Sequence, residues 1–207
     1  DKILMGAERR SLMMTESEKK MTAYHEAGHA LVSVNMDGSV PIHKATIIPR
    51  GRALGMVQSL PERDQISQSY EEMIAQLAMA MGGRVAEEIV FGDNKVTSGA
   101  SGDIQMATRL AKAMVTQLGF SPILGRMAYS DPNADMFHSP KVAEETQKLV
   151  DSETLRLVED GYDTAKKILT EKRKDLDTLA QALLEYETLS GDEIKALLET
   201  GKQPVRK

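Results

Sequence analysis

His25-Glu26-Ala27-Gly28-His29 is the stretch that organises everything else in this chain. It fits the pattern His-Glu-x-x-His. On a helix, positions i and i+4 lie one turn apart on the same face. Two imidazoles so placed reach one metal ion, and Glu26 stands beside them, within reach of an attacking water. The chemistry implied is zinc-assisted hydrolysis, most often of a peptide bond. The pattern therefore demands a helix here, and its surroundings supply one. Thr15 and Glu18 form a capping-box signature, and Glu16-Ser17-Glu18 makes a polar first turn. Met21, Tyr24, Ala27, Leu31, Val32 and Val34 then recur near helical spacing. Asp37-Gly38 supplies a stop, so a helix is expected over about 16–36. Gly28 inside it costs about 1 kcal/mol relative to Ala, which suggests a close approach by another backbone.

Outward from this helix, residues 1–14 read as a connector. Lys44-Ala45-Thr46-Ile47-Ile48-Pro49 and Gly55-Met56-Val57-Gln58-Ser59-Leu60 are short β-like runs around the turn Arg50-Gly51-Arg52. They suggest a hairpin or small sheet, either covering the core or offering an edge to an extended peptide. Residues 68–90 carry helical spacing (Met73, Ile74, Leu77, Ala78, Met81, Val85, Ile89), with Gly82-Gly83 as an expected kink. A small-residue loop, Thr97 to Gly102, leads into a helix over about 102–118. Ser139 and Pro140 fit the cap and first turn of a long helix running to about Leu169. A further helix is expected around Leu176–Tyr186, and another opens on the capping box of Ser190 and Glu193. Residues 201–207 read as a tail. The fold class is thus mainly α, with a small β hairpin or sheet next to a zinc site, and residues 15–200 form the domain.

Composition narrows the class. The 207 residues are enough for one ordinary domain with a real core. A net charge of −5 argues against a nucleic-acid partner. No apolar run is long enough to span a bilayer. Cysteine is absent, so zinc must be held by His and carboxylate groups. Thirteen methionines and few aromatics point to a Met- and Ala-rich helical core rather than a Met-lined groove. The first residue, Asp1, is not an initiator Met, which suggests a piece of something longer. The chain lacks a GxxxxGK[ST] phosphate-binding loop.

A catalytic zinc commonly takes three protein ligands. His43 and His138 are the other histidines and are weak candidates. Asp103 is better placed, since its neighbours at +4, +7 and +11 are Ala107, Leu110 and Met114. It points along an apolar stripe, where a carboxylate needs compensation. A helix-start Asp opposing the dipole is the equally weighted alternative. Glu87 or Glu88 is a second candidate ligand, with a structural or supporting role preferred and Arg84 as a possible ion-pair partner.

These motifs together resemble the peptidase domain of the FtsH family, the membrane-anchored, ATP-dependent zinc proteases. The resemblance rests on several stretches: residues 24–30, Lys44 to Gly55, Gly82 to Glu88, Thr97 to Ile104, Asp1 to Ser11, and Tyr186-Glu187-Thr188-Leu189. It covers nearly the whole chain in order. It implies that Asp103 is the third zinc ligand beside His25 and His29, with Glu26 as the general base. It implies one Zn²⁺ per chain, and a substrate strand docking near Gly55, Met56, Val57 and Gln58. It also implies a homo-hexamer in which an AAA ATPase ring feeds unfolded or membrane proteins to the site. ATP and the membrane anchor would then belong to segments outside this chain. The implied location is a bacterial inner membrane with this domain on the cytoplasmic side, or else an organelle inner membrane. The competing function is a helical oligomerisation module with a structural zinc.

Overall fold

The computed structural model describes residues 13–51, 53–59, 67–130 and 142–206. Among these are six α-helices and a three-stranded antiparallel sheet. Helix α1 (Glu16–Val34) is followed by β1 (Ile42–Thr46) and β2 (Met56–Ser59). Then come α2 (Tyr70–Phe91), α3 (Ser101–Thr116), α4 (Glu144–Glu171) and α5 (Arg173–Tyr186). The short strand β3 (Thr188–Ser190) leads directly into α6 (Gly191–Thr200).

Both expected capping boxes form. The Thr15 hydroxyl accepts from the Glu18 amide, and the Glu18 carboxylate accepts from the Thr15 amide. Ser190 and Glu193 do the same for α6. A third box, Ser69 with Glu72, starts α2 and went unread in the sequence. Each such cap contributes about 1 kcal/mol by satisfying amides that the helix cannot. The long helix begins at Glu144, whereas Ser139 and Pro140 lie outside the described residues.

Helix α1 is the centre of the domain. Its residues from Thr22 to Ser33 are all buried, because α2, α5 and the sheet pack around it. That is why its apolar pattern is diffuse rather than one stripe. The core is built from Leu31 of α1, Leu77 of α2, Met114 of α3, Leu157 and Leu169 of α4, Leu176 and Leu183 of α5 and Leu197 of α6. Each buried side chain of this size stabilises the fold by about 1.5–3 kcal/mol.

Gly28 and Gly82 explain how α1 and α2 come so close. A Cβ on Gly28 would lie 2.3 Å from the Gly82 carbonyl oxygen, and one on Gly82 would lie 2.6 Å from the Gly28 carbonyl. The two backbones touch. The expected kink at Gly82-Gly83 is not the use of these glycines: α2 runs through them as one helix. They are missing side chains, spent on proximity.

The sheet order is β2-β1-β3. The expected hairpin is present, with Ala45 opposite Val57 and Thr46 opposite Met56. Its turn closes through a bridge between Arg50 and Ala53, with Gly51 at a φ of 55°. The first strand spans Ile42–Thr46, two residues earlier than the β-like run. The unexpected element is β3, only three residues long, which pairs with β1 through Leu189 opposite Ala45. β2 is left as an outer strand among the described residues.

Candidate metal centre

His25 and His29 stand on the same face of α1, one turn apart, with ring centroids 4.7 Å apart and the rings nearly perpendicular. Their Nε2 atoms are 3.0 Å from each other. Asp103, in the first turn of α3, brings its Oδ2 to 3.3 Å from the His25 Nε2 and 3.2 Å from the His29 Nε2. Among the described residues these three form the one group of His and acidic side chains spaced to hold a metal ion. His43 sits on β1 and is not part of the group, and His138 lies outside the described residues.

The other side of each imidazole is fixed. His29 Nδ1 donates to the Met79 carbonyl oxygen at 2.7 Å, and a carbonyl can only accept. His25 Nδ1 donates to Glu87 Oε2 at 2.7 Å. Glu87 is itself buried. Burial pushes its carboxyl up, but the hydrogen bonds from His25 and Thr97 outweigh that and hold it below the usual range. The Thr97 amide and hydroxyl donate to its Oε1 at 3.0 and 2.6 Å.

With both Nδ1 atoms carrying protons, the neutral rings present two Nε2 lone pairs. These converge with a carboxylate oxygen, giving three acceptors and no donor. A cation is what such a cluster requires. Burial lowers the His25 pKa, but Asp103, Glu87 and Glu26 more than compensate and raise it to about 10. Burial opposes ionisation of Asp103 too, and the two histidines reverse that, driving its carboxyl far down.

The donor set also fits zinc. Ligands about 2.0–2.1 Å from one tetrahedral ion stand about 3.3–3.4 Å apart, close to the three separations found here. The space is prepared by Gly83 on α2. A Cβ there would lie 2.4 Å from the His25 Nε2 and 2.6 Å from the His29 Nε2.

Glu26 is 6% exposed, beside the two imidazoles. Burial raises its carboxyl pKa, against the pull of His29 and His25. Gly55 lies over it, since a Cβ on Gly55 would come within 2.8 Å of the Glu26 Cγ. Glu88 faces the opposite way. It accepts from Arg84 Nε at 2.9 Å and from the Tyr162 hydroxyl, tying α2 to α4.

All of this opens into one cleft of about 810 Å³, lined by His25, Glu26, His29 and Asp103. Gly55, Met56 and Val57 form part of its wall. Gln58 continues β2 opposite Lys44. Sequence reasoning passed over Thr97, which reaches Glu87 across ten residues, and the Met79 carbonyl, which no side chain advertises. It also set aside a methionine groove. Met73, Met81 and Met114 do fill the core as expected, but Met21, Met56, Met79 and Met106 line the cleft. Helical spacing held that signal, since Met21 is four residues before His25 and Met106 three after Asp103.

The chain is similar to known proteins over nearly its whole length. The chain is 58% identical over 205 residues to the ATP-dependent zinc metalloprotease FtsH of Caulobacter vibrioides, covering 96% of this chain and 33% of that protein. It is 55% identical over 201 residues to the protein of the same name from Rickettsia typhi, covering 96% and 32%. It is 46% identical over 199 residues to the ATP-dependent zinc metalloprotease FTSH 11, chloroplastic/mitochondrial, of Arabidopsis thaliana, covering 96% and 23%. The chain thus spans about a third or less of the length of these relatives. The family model of peptidase family M41 matches residues 12–197. The chain belongs to peptidase family M41.

Proposed function

We propose that residues 15–200 are a zinc-dependent endopeptidase domain in which His25, His29 and Asp103 hold the ion. The observation that carries this is the convergence of two Nε2 lone pairs and one carboxylate oxygen, with both Nδ1 atoms already committed. A bound zinc ion supplies Lewis-acid polarisation of the scissile carbonyl and a lower pKa for the attacking water. Glu26 takes the proton of that water as its oxygen adds to the carbonyl carbon. As the C–N bond breaks, the same carboxyl returns the proton to the departing amine. A carboxylate whose pKa is raised by burial suits both halves of that task. Glu87 keeps His25 turned with its Nε2 inward, as a carboxylate behind a ligand histidine commonly does.

The substrate lies extended along β2. An outer strand beside the cleft offers main-chain hydrogen bonds, which select an extended chain with little regard to sequence. Gly55, Met56 and Val57 border that path, and Gln58 continues it. The whole protein is a homo-hexamer whose AAA ATPase ring delivers unfolded or membrane proteins, with ATP used outside this chain. Support comes from relatives named ATP-dependent, about two thirds or more of whose length lies outside the matched part. No helix among the described residues is long and apolar enough to cross a membrane. Attachment to a bacterial inner membrane, with this domain on the cytoplasmic side, would use segments outside the chain. An organelle inner membrane is the other placement, consistent with the plant relative's name.

The test pairs two variants. Glu26→Gln should bind one zinc and cleave no casein, whereas Asp103→Asn should bind zinc weakly. Full cleavage by the Gln variant would remove Glu26 from the mechanism. Zinc bound without turnover by the unaltered chain would favour a structural zinc in an oligomerisation module.

A further inference from the structure

Four methionines contribute to the wall of the cleft around the candidate metal centre, each from a different element. Met21 is on α1, one turn before His25. Met56 is on β2, Met79 on α2 beside the carbonyl that holds His29, and Met106 on α3, one turn after Asp103. All four line the same cleft. Met21, Met56 and Met79 are half-buried, and Met106 is 38% exposed. None is fully buried as Met73, Met81 and Met114 are; Met79 packs against the core on one side and lines the cleft on the other.

We propose that this methionine wall is an apolar substrate-binding surface that peroxide oxidation switches off. The proposal rests on the peptidase reading for the identity of the ligand, an extended peptide carrying apolar side chains. An unbranched thioether adapts to many apolar shapes, so four of them accept side chains such as Leu or Phe without a fixed pocket. The same side chains line the open cleft and none is fully buried, which gives peroxide a route to their thioethers. Hydrogen peroxide transfers one oxygen to each thioether. The sulfur loses two electrons and becomes a sulfoxide, the peroxide O–O bond breaks, and water leaves. The product is polar and chiral, and an apolar side chain loses its contact. Cysteine is absent from the chain, so thioethers are its only sulfur targets.

The test measures binding rather than turnover, in a Glu26→Gln background so that the peptide survives. The probe is a fluorescein-labelled decapeptide containing Leu and Phe, read by anisotropy before and after hydrogen peroxide. Peptide mapping confirms which methionines are oxidised, and metal analysis confirms that zinc is retained. Affinity should fall roughly tenfold, the scale of a lost methylene-sized apolar contact. Methionine sulfoxide reductase should restore it, which damage to histidine would not permit. A variant with Met21, Met56, Met79 and Met106 all changed to Leu should keep the same affinity before and after peroxide. A Met13→Leu, Met127→Leu variant should still lose affinity, since those exposed residues lie outside the cleft lining. Unchanged affinity with the four cleft methionines oxidised overturns the proposal, as does equal loss in the four-Leu variant. Failure of the peptidase reading shows separately, as absence of cleavage by the unaltered zinc-loaded chain.

Discussion

Replacing Gly83 with Ala should empty the metal centre while leaving the fold in place. The added Cβ would stand 2.4 Å from the His25 Nε2, 2.5 Å from its Cε1 and 2.6 Å from the His29 Nε2. Ordinary contact begins at 3.4 Å, so something must move by about 1 Å. The imidazoles have nowhere easy to go. His25 is held at 2.7 Å by Glu87, and His29 at 2.7 Å by the Met79 carbonyl. The helices cannot part either without losing the backbone contact at Gly28 and Gly82. Metal–ligand distances tolerate only about 0.2 Å. A 1 Å displacement therefore costs more than the loss of a supporting hydrogen bond, which is about 10–100-fold in affinity. We expect zinc affinity to fall by at least about 100-fold. Competition with a chromogenic chelator reads the affinity, and far-UV circular dichroism reads the fold. Ala favours helix over Gly, so helicity should be kept. Wild-type zinc affinity in a folded Gly83→Ala protein would show that the imidazoles are not confined as described.

Three further expectations follow from neighbouring contacts. Glu87→Gln keeps the shape but removes the charge that accepts from His25 and Thr97. Zinc affinity should drop about 10–100-fold, and an unchanged dissociation constant would refute the positioning role. Tyr162→Phe removes the hydroxyl that donates to Glu88 and should cost about 1–3 kcal/mol in urea unfolding, with zinc stoichiometry unaltered. A loss of zinc there would mean that Glu88 belongs to the metal site after all. Glu153 is 3% exposed, accepts from Arg156 and Ser121, and has its carboxyl held below its ordinary 4.5, chiefly by the Arg156 guanidinium. A depressed folded pKa stabilises above the unfolded value, and that stability is lost as pH falls through the folded one. Zinc-free Glu153→Gln should therefore be less stable than the parent at pH 7, with the gap narrowing below about pH 4.5. A gap constant down to pH 3 would refute this assignment.

Local sequence carried much of this protein. The spacing of His25 and His29 placed both rings on one helix face, and the capping pairs at Thr15 and Ser190 fixed two helix starts. Asp103 was readable as a carboxylate on an apolar stripe, because helical periodicity is a property of one segment. The family resemblance then named it as the ligand, ahead of the geometry that brings it to 3.2 Å from His29. Strand β3 escaped notice because three residues hold no periodicity, and their pairing with β1 crosses more than 140 positions.

Which glutamate serves His25 was a tertiary decision. Glu87 and Glu88 are adjacent and chemically identical, and the 100° step between them on α2 sends one to His25 and the other to Tyr162. Gly82-Gly83 looked like a kink because a missing side chain has no local meaning. Only the packing of α1 on α2 shows that the absent atoms make room for a backbone and two imidazoles. The methionines around the cleft follow the same logic. Their abundance was plain in the sequence, but Met21, Met56, Met79 and Met106 share a surface only because three helices and a strand meet there. Residue type and spacing thus determined which groups this protein can use, through torsions and caps that act over a few residues. Their convergence depends on contacts between distant segments, and those are fixed by burial of the whole core.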